Sequence, residues 1–174
     1  VDGEATYASM IKGIEAAESY VLIQFYIFRA DETGQQFADA LKAKAKQGVS
    51  VRFLYDEVGC YQLPSEFVVS LAESGVEVYP FNTRKGSRNR TQINFRNHRK
   101  VIVVDGNKSW VGGLNVGEEY LGLDADIGPW RDTHLCIDGP ATLDMQVSFV
   151  EDWHWSADEI IEGLNWNVPM HRGD

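Results

Sequence analysis

The sequence predicts an α/β domain: a mixed, largely parallel β-sheet flanked by helices on both faces. Three observations carry that prediction. A segment of helical period is followed by one of strand period three times in succession, the order that builds sheets with helices packed on their faces. The pattern then changes to two short apolar runs joined by Asp105-Gly106-Asn107, the composition of a tight hairpin. The 174 residues are 44% hydrophobic and 11% aromatic, enough to bury one core.

In order along the chain, residues 4–18 carry apolar positions at helical spacing, and residues 21–28 (VLIQFYIF) read as a buried strand rich in β-branched and aromatic side chains. Residues 34–47 repeat the helical pattern up to Gly48, after which 49–57 alternate as a strand. A third helix spans 64–73, ends at Gly75 and feeds the strand 76–80. Residues 100–104 and 109–111 are the hairpin strands. A loop with a short helical turn occupies 117–129, and 133–138 is a further strand. Pro140 then opens a helix running to about residue 155. The last residues show no clear period. Residues 1–174 are read as one domain, with 156–174 the start of a linker to something beyond it. The opening VDGEATYASM, without an initiator Met or a charged-then-apolar leader, reads as a cut inside a longer protein.

Composition excludes some functions. The longest apolar run, 21–28, is far shorter than the roughly 18 residues a membrane-spanning helix needs. Cys60 and Cys136 lie far apart without a CxxC, so they read as two buried thiols. A net charge of −10 argues against a nucleic-acid substrate, because long-range repulsion opposes encounter with a polyanion. Residues 84–100 reverse that locally: they hold seven Lys or Arg and no Asp or Glu. A basic patch sits on an acidic body.

The end of that patch carries the chemistry. On an extended backbone residues two apart share a face, so His98 and Lys100 point together and Arg99 turns away. Zinc would set a fixed positive charge beside Lys100 and finds neither an HExxH nor a Cys pair, so no metal is expected. An anion suits the pair: Lys100 holds a phosphate as a point charge while neutral His98 attacks it or exchanges protons with it. Gly112 and Gly113 let backbone come close to a ligand, and Asn115 offers an amide donor at the strand's exit. Asp105 lies about 13 Å beyond Lys100 at about 3.3 Å per strand residue, which favours a turn-forming, hydrogen-bonding role. Asp132, opening the next strand, is the carboxylate better placed to orient the imidazole.

Taken together, His98-x-Lys100-x4-Asp105 followed by Gly112-Gly113-x-Asn115 resembles the HKD motif of the phospholipase D superfamily. IQFYIF at 23–28, VRFLYDEVG at 51–59, AESGVEVYPF at 72–81, YLGLD at 120–124, WRDTH at 130–134 and FVEDW at 149–153 look like the amino-terminal catalytic half of bacterial cardiolipin synthases. That resemblance implies phosphatidyl transfer. His98 would attack a phosphatidylglycerol phosphodiester and expel glycerol, and a second phosphatidylglycerol would resolve the phosphohistidine to cardiolipin. Lys100, Gly113 and Asn115 would hold the phosphate, Asp105 would be the third motif residue, and Asp132 would brace the histidine, with no cofactor. Family members carry two such motifs, whereas His134, His154 and His171 have no Lys two residues on. The implied partners are therefore a second HKD half of the same parent chain, or a homodimer, and the membrane surface of a bacterial inner membrane. Two other readings stay open: a homodimeric single-motif phosphodiesterase or nuclease, and a non-catalytic phospholipid-headgroup binding module.

Overall fold

A computed structural model of the chain describes residues 3–81 and 96–169. The elements follow the predicted order. They are α1 (Gly3–Glu15), β1 (Tyr20–Phe25), α2 (Glu32–Lys46), β2 (Ser50–Asp56), α3 (Ser65–Ala72), β3 (Glu77–Phe81), β4 (Val101–Val104), β5 (Lys108–Gly112), a 3₁₀ turn (Glu118–Leu121), β6 (His134–Asp138) and α4 (Thr142–Ala157). Most of the basic patch, residues 84–95, lies outside the described residues.

One six-stranded sheet runs β3-β2-β1-β4-β5-β6. β1, β2 and β3 are parallel, while the β1–β4, β4–β5 and β5–β6 pairs are antiparallel. The sheet is mixed as expected, but its balance is antiparallel, three pairings to two. Loop length explains the parallel strands and the β4–β5 reversal. Helical crossovers return the first three strands in the same direction, whereas the Asp105 turn is too short for anything but reversal. Asp105 and Gly106 both take positive φ, 50° and 72°, as a type I′ hairpin turn requires.

Alternation along the strands divides the core between the two faces. Val21, Ile23, Phe25, Val51, Phe53, Ile102, Val104 and Trp110 pack with Tyr7, Met10 and Ile14 of α1, Phe37 and Leu41 of α2, and Leu71 of α3. Leu22, Leu54, Val101 and Val103 pack with Phe149 and Trp153 of α4. Burying one such large side chain contributes roughly 1.5–3 kcal/mol, so both faces are needed to fix the sheet. β1 ends three residues before the apolar run does. There Tyr26–Phe28 leave the ladder, Ile27 N–H donates to Asn115 Oδ1, and Phe28 bridges Val116.

Chain past α4 also packs on the domain. Ile161 and Val168 are buried, Asn165 N–H donates to Tyr20 Oη, and Gln146 Nε2 donates to the Asn165 carbonyl. Both cysteines are free. Cys60 is buried and Cys136, on the edge strand, is exposed.

Candidate active site

The strand ends converge where β1 and β2 finish and β4 begins. His98 and Lys100 precede β4 and share a face, as extended spacing demands: Lys100 Nζ lies 2.7 Å from His98 Nδ1 and donates to the His98 carbonyl at 2.8 Å. Tyr26, just past β1, lies against both. Its ring centroid is 4.3 Å from that of His98 and 5.1 Å from Lys100 Nζ. Lys100 is buried, and burial pushes its ammonium pKa down to about 8 against the opposing pull of Asp132 and Asp56. His98 is exposed, yet partial burial and then the Lys100 charge hold its pKa below the ordinary value. The pair therefore sits near neutral pH as neutral imidazole and ammonium. A neutral ring that accepts at Nδ1 carries its proton on Nε2, so in the free site Lys100 occupies the one lone pair His98 could use.

The residues flanking His98 face the other way and are anchored. Asp56, ending β2, accepts from Asn97 N–H at 2.8 Å through Oδ2, and its other oxygen accepts from Val58 and Gly59 N–H. Asp152 of α4 accepts from Asn97 Nδ2 at 2.6 Å, from Gln24 Nε2 at 2.8 Å and from Arg99 Nη1. Two carboxylates from separate elements thus hold both neighbours of His98, Asp56 at the Asn97 backbone and Asp152 at the Asn97 and Arg99 side chains. The ring itself lies against Lys100 and Tyr26. Phe81, Arg96, Asn97, His98, Arg99 and Asp152 line an open concavity of about 580 Å³ whose rim carries two guanidinium groups, a setting suited to an anion.

The remaining predicted site residues lie at different places. Asp105 is at the far end of β4, where its carboxylate accepts three backbone amides, Glu18 at 2.9 Å and Ser19 and Tyr20 at 2.8 Å each. Asn115 is buried with both ends of its amide engaged: Oδ1 accepts from Ile27 N–H at 2.9 Å, and Nδ2 donates to Tyr120 Oη at 3.1 Å. The second Nδ2 hydrogen makes no hydrogen bond among the described residues. Asp132 accepts from its neighbour Thr133 N–H at 2.7 Å, and no hydrogen bond joins it to His98 among the described residues. Its charge acts on Lys100 instead.

The two glycines are closely approached by the chain that leads into β6. A Cβ on Gly113 would fall 2.0 Å from Asp132 Oδ1, and one on Gly112 would fall 2.3 Å from the Thr133 carbonyl oxygen and 2.5 Å from His134 Cα. Gly113 thus makes room for the Asp132 side chain and Gly112 for the chain at Thr133–His134. Sequence reasoning missed Tyr26, Asp56, Asn97, Asp152 and His134 as members of this site. The alternation rule held the signal for Asn97: if His98 and Lys100 share one face, Asn97 and Arg99 must find partners on the other. The acidic ends of VRFLYDE and FVEDW were the candidates to meet them.

Among the described residues no group of three or more His, Cys, Asp or Glu could hold a metal ion, and no helix is long and apolar enough to cross a membrane. The fold is that of the phospholipase D family. The chain superposes on NucT from Helicobacter pylori with a TM-score of 0.66 at 18% identity, covering 88% of this chain and 90% of that one. It superposes on the phospholipase D family member Nuc from Salmonella typhimurium with a TM-score of 0.60 at 19% identity, covering 86% and 87%. Residues 10–153 match the family described as cardiolipin synthase, PLD-like domain, and the chain belongs to it. Cardiolipin synthase A of Pseudomonas fluorescens strain SBW25 is 48% identical over 160 residues, 92% of this chain and 33% of that protein. The chain spans about a third of the length of such relatives.

Proposed function

We propose that this chain is one half of a phosphatidyltransferase of the cardiolipin synthase type, and that it contributes the nucleophile. The observation that carries the reading is the 2.7 Å approach of a buried ammonium to an exposed imidazole held neutral, on a strand end clamped from both sides. A phosphodiester oxygen entering beside Lys100 takes over its donors and releases the His98 lone pair. The ring nitrogen then bonds to phosphorus, and the bond from phosphorus to the glycerol oxygen breaks. Lys100 and the remaining Asn115 hydrogen meet the developing negative charge. In the second step a hydroxyl of another phosphatidylglycerol gives its proton to the group that protonated the glycerol and attacks phosphorus, and the nitrogen–phosphorus bond breaks to leave cardiolipin and free His98.

Expelling the glycerol alkoxide requires a proton donor near the leaving oxygen, which contributes roughly 10² to 10⁴ in rate. His98 cannot attack and donate at once. A second half, in the same longer chain at the membrane surface of a bacterium, supplies that acid. Asp105 takes part through the fold, by holding the start of β1 against the hairpin. Incubating the 174-residue monomer with phosphatidylglycerol in detergent tests the division of labour, and no cardiolipin is expected. Steady turnover by a species shown to be monomeric contradicts it. Turnover that appears only with dimer replaces it with the homodimeric phosphodiesterase reading.

A further inference from the structure

His134 is a second imidazole at this end of the sheet that the reaction above does not use. It opens β6, pairs with Gly112 of β5, and stands two residues beyond Asp132 on an extended segment. One step past the Val101–Val111 pair, Lys100 comes level with the same Gly112. Lys100, Gly112 and His134 therefore form a cross-strand row whose middle member has no side chain. Both ring nitrogens of His134 are enclosed, and neither has a hydrogen-bond partner among the described residues. Burial pushes its pKa down to about 4, with Asp132 opposing that shift and Lys100 adding to it. A buried imidazole with both nitrogens unmet weakens the domain, and native structures retain such groups at functional sites.

A neutral imidazole has one acceptor nitrogen and one N–H donor, which match one ammonium and one carboxylate. We infer that His134 is a positioning residue with which Lys100 pairs when phosphate enters: the ammonium turns from His98 to donate to one His134 nitrogen, and the other nitrogen donates to the Asp132 carboxylate. Lys100 then keeps a donor for the phosphate while His98 is free to attack. The inference rests on the phosphate-holding role proposed for Lys100. It gives the unmet ring and the paired glycines one purpose.

The test is histidine ring ¹⁵N NMR of the 174-residue protein titrated with inorganic phosphate at low ionic strength, with two variants alongside. In the wild type the His134 nitrogens should move to hydrogen-bonded shifts in step with those of His98. His134→Leu should raise the melting temperature and weaken phosphate binding roughly tenfold, the scale of one hydrogen bond to a charged group. His134→Gln, which keeps a donor and an acceptor, should bind phosphate within about threefold of wild type, since it retains that hydrogen bond. His134 signals that stay still while those of His98 saturate overturn the inference and leave the phosphate site standing. So does a His134→Leu variant that binds phosphate as wild type does, whatever its melting temperature. If His98 itself does not respond, the phosphate-holding reading falls, and this inference with it.

Discussion

The two ends of β4 carry charged groups of one short motif and use them in opposite ways. At the Asp105 end every requirement is met locally. The carboxylate accepts three consecutive backbone amides ahead of and entering β1, and Asn165 Nδ2 caps the Asp105 carbonyl from beyond α4. At the Lys100 end needs are left open: both His134 nitrogens and Gln24 Oε1 are buried without partners, and the ammonium is shared with the ring it is meant to assist. A saturated carboxylate is a rivet. An unsaturated cluster keeps polar capacity that a ligand could use. The spacing His-x-Lys-x4-Asp thus joins the end proposed to be reactive to a structural one through a four-residue buried strand that holds their separation fixed.

Substitutions should separate the ends. In a longer enzyme containing this half, His98→Ala should lower transfer by several powers of ten, because no other nucleophile occupies that position. A steady-state assay retaining more than about a tenth of wild-type rate would remove His98 from the role, given what loss of a covalent nucleophile costs. Lys100→Met should follow, with a loss of about 10² to 10³, the scale of one preorganised charge at a developing oxyanion. Neither change should lower the melting temperature much.

Asp105→Ala should do the reverse. Losing a three-amide acceptor at a half-exposed turn should cost about 2–3 kcal/mol, or on the order of 5–10 °C in melting temperature for a domain this size. Transfer measured well below that melting point should stay within tenfold of wild type. Normal melting with abolished transfer would place Asp105 at the reactive end after all.

Titration should give the smallest and most specific difference. His134 has a folded pKa near 4 against an ordinary 6.5, so between those values the unfolded chain binds more protons than the folded one. Stability should therefore fall as pH drops through that window, and His134→Leu should flatten the fall measured by urea denaturation. Phosphate binding should weaken as pH rises through about 8, where Lys100 loses its proton, and Lys100→Met should show no such limb.

The same contrast explains what could be read in the sequence. Strand order along the chain, the hairpin at Asp105-Gly106 and the shared face of His98 and Lys100 follow from local rules of period and turn chemistry, and all three are present. Asp105's separation from Lys100 is a matter of counting strand residues. The partners of Asn97 and Arg99 required knowing that α4 packs on the face opposite α1 and α2, which no local period reveals. The atoms crowding Gly112 and Gly113 were not legible either, because a sequence cannot say which neighbouring segment will fill the space. The parallel share of the sheet was overestimated for a related reason: the helical crossovers dominate the first half, and the antiparallel meander begins only after residue 100.

The proposed function depends most on His98 as the group that becomes bonded to phosphorus. Acid-free quenching of a longer enzyme containing this half during turnover of phosphatidylglycerol, followed by proteolysis and mass spectrometry, reads that bond directly. A phosphatidyl adduct on the peptide bearing His98, absent from Lys100→Met, is the predicted result. Continuing turnover with the adduct found only on a histidine outside this domain would contradict it.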